Sequence, residues 1–382
     1  MNEWVWLLPL FFWFVMLVLP WQPWRNRETL QVANPVDNAD LSDLCVVVPA
    51  RNEARQISQT LSALAQQGAN LQVIVVDDES QDATAETARC AQGLDITVIE
   101  GEALPAGWTG KLWALQQGFA RVKRPVTVLL DADITLAPGV LFSLREKLRS
   151  DNVSFVSVMA CLSMSTFWEK LLLPAFVYFF KQLYPFALSN NPRVKFVAAA
   201  AGGCIMVKSA VLNSIGGFAG IKDSLIDDCA LARKVKQRGY STWIGLTLDV
   251  QSHRPYGGPK PIWEMVSRTA FYQLKHSTSI LLVMTLLFLT IYGLPWVGLL
   301  EVNLTAQIIS ALALIAMMGM YLPIIRYYQL NPLWSLGMPL IALLYLAMTW
   351  YSAIEYWLGA GNSWRGRRYK NNFAIDCEKN TV

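Results

Sequence analysis

Short apolar runs that end in carboxylates constrain this chain more than any other feature. CVVVP (45–49), LQVIVV (71–76), ITVIE (96–100) and VTVLL (126–130) are strand-length runs rich in β-branched residues. CVVVP, a short continuous apolar run, suits a strand buried on both faces. Between them the period changes. Ala54, Ile57, Leu61 and Leu64 recur at helical spacing and Gly68 closes that helix, SQDATAETARC opens another, and Leu112, Leu115 and Phe119 mark a third. Strand and helix alternating in this way predict an α/β domain from Leu44 to about Leu248, with a mostly parallel, doubly wound, Rossmann-like sheet. Ligands of such sheets sit beyond the carboxyl ends of the strands. Asp77-Asp78 follows the second run and Asp131-Ala132-Asp133 the fourth, so both clusters fall there, and a third pair, Asp227-Asp228, lies in LIDDCALARKVKQRGY.

The rest of the chain has a different solvent. Only 16% of the 382 residues are charged, against about 25% in soluble domains, and the mean hydropathy is +0.32. The apolar excess sits in residues 4–22 and 278–358. Residues 4–22 are long enough for a bilayer span, which takes about 20 apolar residues. Their acidic start and the lack of a small-x-small site argue against a cleaved leader. Arg25 and Arg27 follow at once, which puts that exit on the cytoplasmic side. Three further spans are expected at about 278–300, 304–325 and 334–358. Residues 166–188 are aromatic-rich but broken by Pro174, Pro185, Lys170 and Lys181, which predicts an interfacial segment, with a buried helix pair as the alternative. The expected organisation is an N-terminal anchor (1–24), the α/β domain (44–250), a connecting interfacial region (251–277), membrane helices (278–358) and a basic tail (359–382). The expected location is a bacterial inner membrane, multi-pass, with the α/β domain cytoplasmic.

Net charge is +4 and no Lys/Arg run with interleaved aromatics lies on the α/β part, so nucleic acid is not an expected partner. The basic stretch Arg365–Lys370 beside the last apolar segment suits anionic lipid instead. Six cysteines at 45, 90, 161, 204, 229 and 377 show no metal spacing, and a reducing compartment without disulfides is expected. With His253 and His276 the only histidines, a His-based zinc site is not expected. His253 remains a candidate further metal ligand.

Each acidic cluster has a plain reading beside a chemical one. In an extended segment Asp131 and Asp133 would point the same way and face one cation. Oxygen-only ligands suit Mg²⁺ or Mn²⁺ bridging to substrate phosphates. The plain reading is a turn or a helix cap. Asp77-Asp78 ends a strand and leads into Glu79-Ser80, either a ligand site or a turn. Pro49-Ala50-Arg51-Asn52-Glu53 and Gly107-Trp108-Thr109-Gly110-Lys111 are loop-to-helix entries, where free N–H groups favour anions, and Lys111 could reach a phosphate. Asp227-Asp228 opens a helix, either as acids placed on its dipole or as a general base.

Taken together, CVVVPARNE, VIVVDDESQDAT, GKLWALQQG, VLLDAD, GGCIMVKSAVLNSIGGF and IDDCALARKVKQRGY resemble, in this order, the family 2 glycosyltransferases of GT-A fold. The resemblance covers about residues 44–250. GWTGKLWAL, the flanking apolar segments and Trp364-Arg365-Gly366-Arg367 look most like the hopene-associated subgroup, and carotenoid and other glycolipid glycosyltransferases share parts of the pattern. The resemblance implies a metal-dependent transferase taking a nucleotide-diphospho-sugar, UDP-linked, to a lipid hydroxyl at the bilayer. Pro49, Arg51, Glu53, Asp77 and Asp78 would hold the nucleotide, with Lys111 near the base or diphosphate. Asp131 and Asp133 would hold the metal and diphosphate, Gly202-Gly203 would border the acceptor pocket, and Asp228, with Asp227 beside it, would be the catalytic base. Processive members carry Q-x-x-R-W. Here Met265-Val266-Ser267-Arg268-Thr269 keeps only Arg268, which implies a single transfer and leaves Arg268 as a diphosphate contact. A polyprenyl-phosphate acceptor and a non-catalytic nucleotide-sugar-binding scaffold are the rival readings.

Overall fold

A computed structural model describes residues 4–32, 39–359, 363–364 and 367–368. The chain divides into two compact units, one of Arg27–Ser163 with Tyr184–Pro255, the other of Met1–Asn26, Met164–Leu183 and Tyr256–Val382.

The first unit is built on eight strands, β1 (Leu44–Ala50), β2 (Gln72–Asp77), β3 (Asp95–Glu100), β4 (Val126–Leu130), β5 (Ile134–Leu136), β6 (Phe155–Cys161), β7 (Cys204–Lys208) and β8 (Thr242–Ser252). They form one sheet in the order β3-β2-β1-β4-β7-β6-β8-β5. The β3-β2-β1-β4 half is parallel, as the apolar runs predict, and β1 and β4 are buried throughout. The strand order reverses between β1 and β4, which is where a doubly wound sheet opens a crevice at its strand ends. β7 runs antiparallel to β4 with Leu130 opposite Cys204, so the residues before β7 lie beside those after β4. β5 starts just after β4 in sequence yet pairs with the end of β8, Ile134 opposite Ser252, and this curls the sheet. One helix, Gly110–Phe119, is pressed onto β1 and β2 at Gly118. A Cβ there would come within 2.5 Å of Val47 Cγ1 and 2.9 Å of Val76 Cγ2, so only glycine allows this approach. Of the cysteines, Cys45, Cys204 and Cys229 are buried thiols, while Cys377 lies outside the described residues.

The second unit is helical. Thr278–Leu299, Leu304–Tyr327 and Pro332–Trp357 have 22, 24 and 26 residues and are long and apolar enough to cross a membrane. The N-terminal helix runs only from Trp4 to Val18, 15 residues. At about 1.5 Å per residue this described part is roughly 22 Å long, residues 1–3 lying outside the described residues. It is shorter than the 4–22 expected because Pro20 disfavours helix at Leu19. It buries Trp6 and Trp13, whose indole donates to Ile291 O at 3.3 Å.

Within the expected interfacial segment, Phe167–Leu183 is one helix that continues through Pro174 and buries Leu171, Leu172, Leu173, Val177 and Tyr178, while Phe167, Trp168 and Leu183 stay exposed. Its cation does not break it, because Lys181 Nζ donates to Arg25 O at 2.5 Å and Asn26 Oδ1 at 2.6 Å. Tyr178 meets Tyr321 edge-on, and the Tyr345 hydroxyl donates to Leu172 O at 2.8 Å. The helix thus packs with the C-terminal helices and groups with them rather than with the α/β unit. Ser363–Trp364 and Arg367–Arg368 pair antiparallel. The remainder of the expected basic tail from Ala360, including Arg365, Gly366 and Lys370, lies outside the described residues.

Candidate active site

The carboxyl ends of β1, β2 and β4 carry the first group of candidate residues. Pro49 and Asp77 are the last or near-last residues of paired strands, with Ala50 opposite Asp77. Beyond them two loops are stitched together. Asn52 N–H donates to Ser80 Oγ at 3.0 Å, Gln81 N–H to Asn52 Oδ1 at 2.8 Å, and Glu53 N–H to Thr84 Oγ1 at 2.9 Å. Asn52 and Glu79 hold positive φ of 53° and 51°. Arg51 Nη1 donates to Asp78 O and lies 3.6 Å from the buried Asp78 Oδ2. Asp77 Oδ2 accepts from Ser80 N–H at 3.3 Å, while its Oδ1 is buried and lacks a hydrogen-bond partner among the described residues. Asp78 is thus buried beside Arg51, and Asp77 offers an open acceptor.

The second group gathers around Lys111, in the first turn of the Gly110–Phe119 helix. Its Nζ lies 2.8 Å from Asp131 Oδ1 and 3.5 Å from Asp227 Oδ2, and the side chains of Lys111, Asp131 and Asp227 keep 18–32% of their surface open. Asp131 is placed by its own N–H, which donates to Gly203 O at 3.1 Å, a consequence of the β4–β7 register. Asp227 and Asp228 open the Asp227–Gln237 helix. Asp228 accepts from Cys229 N–H at 2.7 Å and from the Gly202 N–H. A Cβ on Gly202 would stand 3.1 Å from Lys111 Nζ and 3.4 Å from Asp228 Oδ2. Gly202, Asp131, Asp227, Asp228 and Lys111 thus line one recess with Phe218 and Leu231.

The electrostatics of this recess are unbalanced. Three carboxylates share one ammonium. Burial alone would lower the Lys111 pKa, but Asp131, Asp227 and Asp228 drive it above the usual lysine range. Burial raises Asp131 against the pull of Lys111. Burial and then the neighbouring Asp227 push Asp228 up to about 7, with Lys111 opposing. A carboxylate with that pKa can accept a proton near neutrality.

The structure departs from expectation at Asp131-Ala132-Asp133. The segment is a turn, closed by Ile134 N–H donating to Asp131 O at 3.1 Å and pinned by Thr60 Oγ1 donating to Ala132 O at 2.8 Å. The carboxylates therefore take different partners. Asp131 meets Lys111, while Asp133 Oδ2 accepts from Arg254 Nε at 2.8 Å. Arg254 Nη2 also donates to the buried Glu53 Oε1 at 3.0 Å. Sequence reasoning missed Arg254. The only local signal was its neighbour His253, whose N–H donates to Asp133 O at 3.1 Å. Arg268 sits on the exposed face of the Pro259–Gln273 helix in the helical unit.

Residues 45–216 match the family described as Glycosyl transferase family 2. A 4,4'-diaponeurosporenoate glycosyltransferase of Staphylococcus haemolyticus is 29% identical over 113 residues, 30% of this chain and 30% of that protein. Its namesake from Staphylococcus aureus (strain bovine RF122 / ET3-1) is 33% identical over 98 residues, 26% of each chain. The chain thus matches less than a third of the length of these curated relatives. Among solved structures, a mannosyltransferase from Pyrobaculum calidifontis in complex with GDP-Man and Mn²⁺ superposes with a TM-score of 0.55 at 20% identity, covering 93% of this chain and 99% of that one. The fold is GT-A, and residues 45–216 are similar to the glycosyl transferase family 2.

Proposed function

We propose that this protein is a membrane-bound, inverting glycosyltransferase that moves one sugar from a nucleotide-diphospho-sugar to a lipid hydroxyl. The observation that carries the reading is the Lys111-centred recess, where the ammonium pairs with Asp131 and Asp227 and Asp228 lies beside them on Gly202, its carboxyl pushed up to about 7 by burial and Asp227. Asp228 would take the proton of the acceptor hydroxyl as it attacks the anomeric carbon. Lys111 would stabilise charge on the departing diphosphate. Asp77, with its open buried oxygen, and the Arg51 loop would seat the nucleotide. UDP is the expected nucleotide. The apolar helices long enough to cross a membrane support a lipid acceptor.

The residues present fit a hard divalent cation, Mg²⁺ or Mn²⁺, in their chemistry. Asp131 and Asp133 supply carboxylate oxygens, and His253 Nε2 is buried without a hydrogen-bond partner among the described residues. No three such donors are yet gathered among the described residues, so a cation would have to draw these groups together. When bound it would neutralise negative charge on the diphosphate.

On acceptor identity, the sequence resemblance favours a hopanoid-related lipid. The diaponeurosporenoate named in the relatives favours a carotenoid carboxylate. The two differ at Asp228, because a carboxylate or a polyprenyl phosphate is already anionic and needs no base. The test is transfer of label from radiolabelled UDP- and GDP-sugars into extractable lipid by membranes containing wild type or Asp131→Ala/Asp133→Ala, with and without EDTA. Label that needs a cation and vanishes in the variant supports the reading and its lipid band identifies the acceptor. UDP binding with no label from any donor would favour the scaffold reading.

A further inference from the structure

Resting on that reading, we infer that Arg254 exchanges partners when the site is loaded, giving up Asp133 to the divalent cation and passing to the donor diphosphate. Arg254 joins the β1 end to the turn after β4, through Glu53 at 3.0 Å and Asp133 at 2.8 Å. In this state both carboxylates of the Asp131-Ala132-Asp133 turn are neutralised by the chain's own cations, Asp131 by Lys111 and Asp133 by Arg254. A divalent cation that takes both must displace one of them.

The two cations are not equally held. Lys111 sits in the field of Asp131, Asp227 and Asp228, and releasing it would leave those carboxylates facing one another. Arg254 is the more exposed, at 30% against 18% for Lys111. It also keeps Glu53 as an anchor when it leaves Asp133. Arg254 is therefore the group that moves at least cost. The freed edge of a guanidinium is planar, permanently charged and matched to phosphate oxygens. The cation brings the diphosphate to the same carboxylates, so the outgoing partner finds a new anion next to the one it lost. Each ligand then removes a penalty from the other, which makes cation and nucleotide bind with positive coupling.

The exchange predicts effects of opposite sign from one substitution. Purified full-length Arg254→Gln in detergent is titrated with Mn²⁺ alone, read by the loss of the free-ion EPR signal, and with UDP at saturating Mn²⁺, read by calorimetry. Mn²⁺ alone should bind about 3- to 10-fold tighter, because its internal competitor is gone. UDP with Mn²⁺ should bind about 10-fold weaker, because a charge-assisted phosphate contact is gone. Arg254→Lys, which keeps the charge without the fork that reaches Glu53 and Asp133 together, should fall between on both readouts, and it carries the test if the glutamine variant misfolds. Unchanged or weaker Mn²⁺ binding overturns the exchange, as does tighter binding of both ligands. If wild type binds neither Mn²⁺ nor UDP, the donor reading itself fails. If wild type binds both and the variants match it, only the exchange fails.

Discussion

Asp228 and Glu169 are two carboxylates withdrawn from water, and they have gone opposite ways. Burial raises both. At Glu169, in the helical unit, the Thr166 N–H, the Ser165 N–H and hydroxyl and the Gly257 and Tyr256 N–H groups outweigh that penalty and hold the acid down to about 2. At Asp228, the Cys229 and Gly202 N–H groups do not offset burial and the adjacent Asp227, and the acid rises to about 7. Donors hold Glu169 down, while burial and a like-charged neighbour raise Asp228. A carboxylate surrounded by donors is fixed as an anion and holds backbone in place. One left short of donors can take up a proton. Glu169 thus fits a structural role and Asp228 the proposed proton acceptor, and substitutions separate the two.

The largest effect is expected from Asp228→Asn. If Asp228 is the base, transfer to a hydroxyl acceptor should fall by about 10²–10⁴-fold, with the donor KM little moved, in steady-state assays on membranes. A near-wild-type rate would mean that the acceptor is already anionic and that Asp228 is not its base.

Lys111→Met comes next. It removes the cation that opposes the rise of Asp228, and transfer should fall by about 10²-fold or more through loss of charge stabilisation at the diphosphate. The residual activity carries a second signature. A base works deprotonated, so wild-type activity should climb with pH through about 7. Without Lys111 the Asp228 pKa goes higher still, and the climb should move to higher pH. A residual profile that stays in place would show that Lys111 does not act on the base.

Glu169→Gln tests the other side of the contrast. The expected loss is in stability, about 1–3 kcal/mol for charge-assisted bonds, read by thermal unfolding in detergent, with the pH profile of transfer unchanged. The linkage sign is definite. The folded-state pKa is depressed from 4.5 to about 2, so the stabilisation is present above 4.5 and is lost as pH falls from there towards 2. Wild type should lose this increment over that window, and the glutamine variant should not.

How much of this was legible in the sequence follows the range of the interactions. β1, β2, β3 and β4 were readable because each is a local apolar run, and Asp77, Asp131 and Asp228 because acids at strand ends and helix starts stand out against such runs. The gathering of Lys111 with Asp131 and Asp227 was not readable from spacing and needed the family resemblance. Arg254 was not found by either route. Its partners lie 121 and 201 residues away, and it meets them only because β5 returns to pair with the end of β8. The reading of Asp131 and Asp133 as one-sided failed for a local reason, since the expectation assumed extended backbone and the segment turns. That Phe167–Leu183 runs as one helix through Pro174 and Lys181 was not readable, because the partners of Lys181 Nζ, Arg25 O and Asn26 Oδ1, lie more than 150 residues away.

The smallest effect is expected from Gly202→Ala, and it probes whether the contrast between the two acids depends on geometry or only on charge. Gly202 has no side chain to contribute, yet its N–H is one of the donors Asp228 has. An added Cβ would sit 3.1 Å from Lys111 Nζ and 3.4 Å from Asp228 Oδ2. The lysine tip is the far end of a flexible chain and can yield by a few tenths of an ångström, so the fold and the unfolding temperature should hold. The ammonium, however, would shift away from the carboxylates it balances. Transfer should drop about 3- to 10-fold, the size of effect that a displacement well under 1 Å produces at a reacting centre, with the pH climb moved slightly upward because Lys111 opposes the rise of Asp228 less well. Full activity with an unmoved profile would mean that the recess tolerates a looser lysine, and that charge count rather than placement sets the state of Asp228.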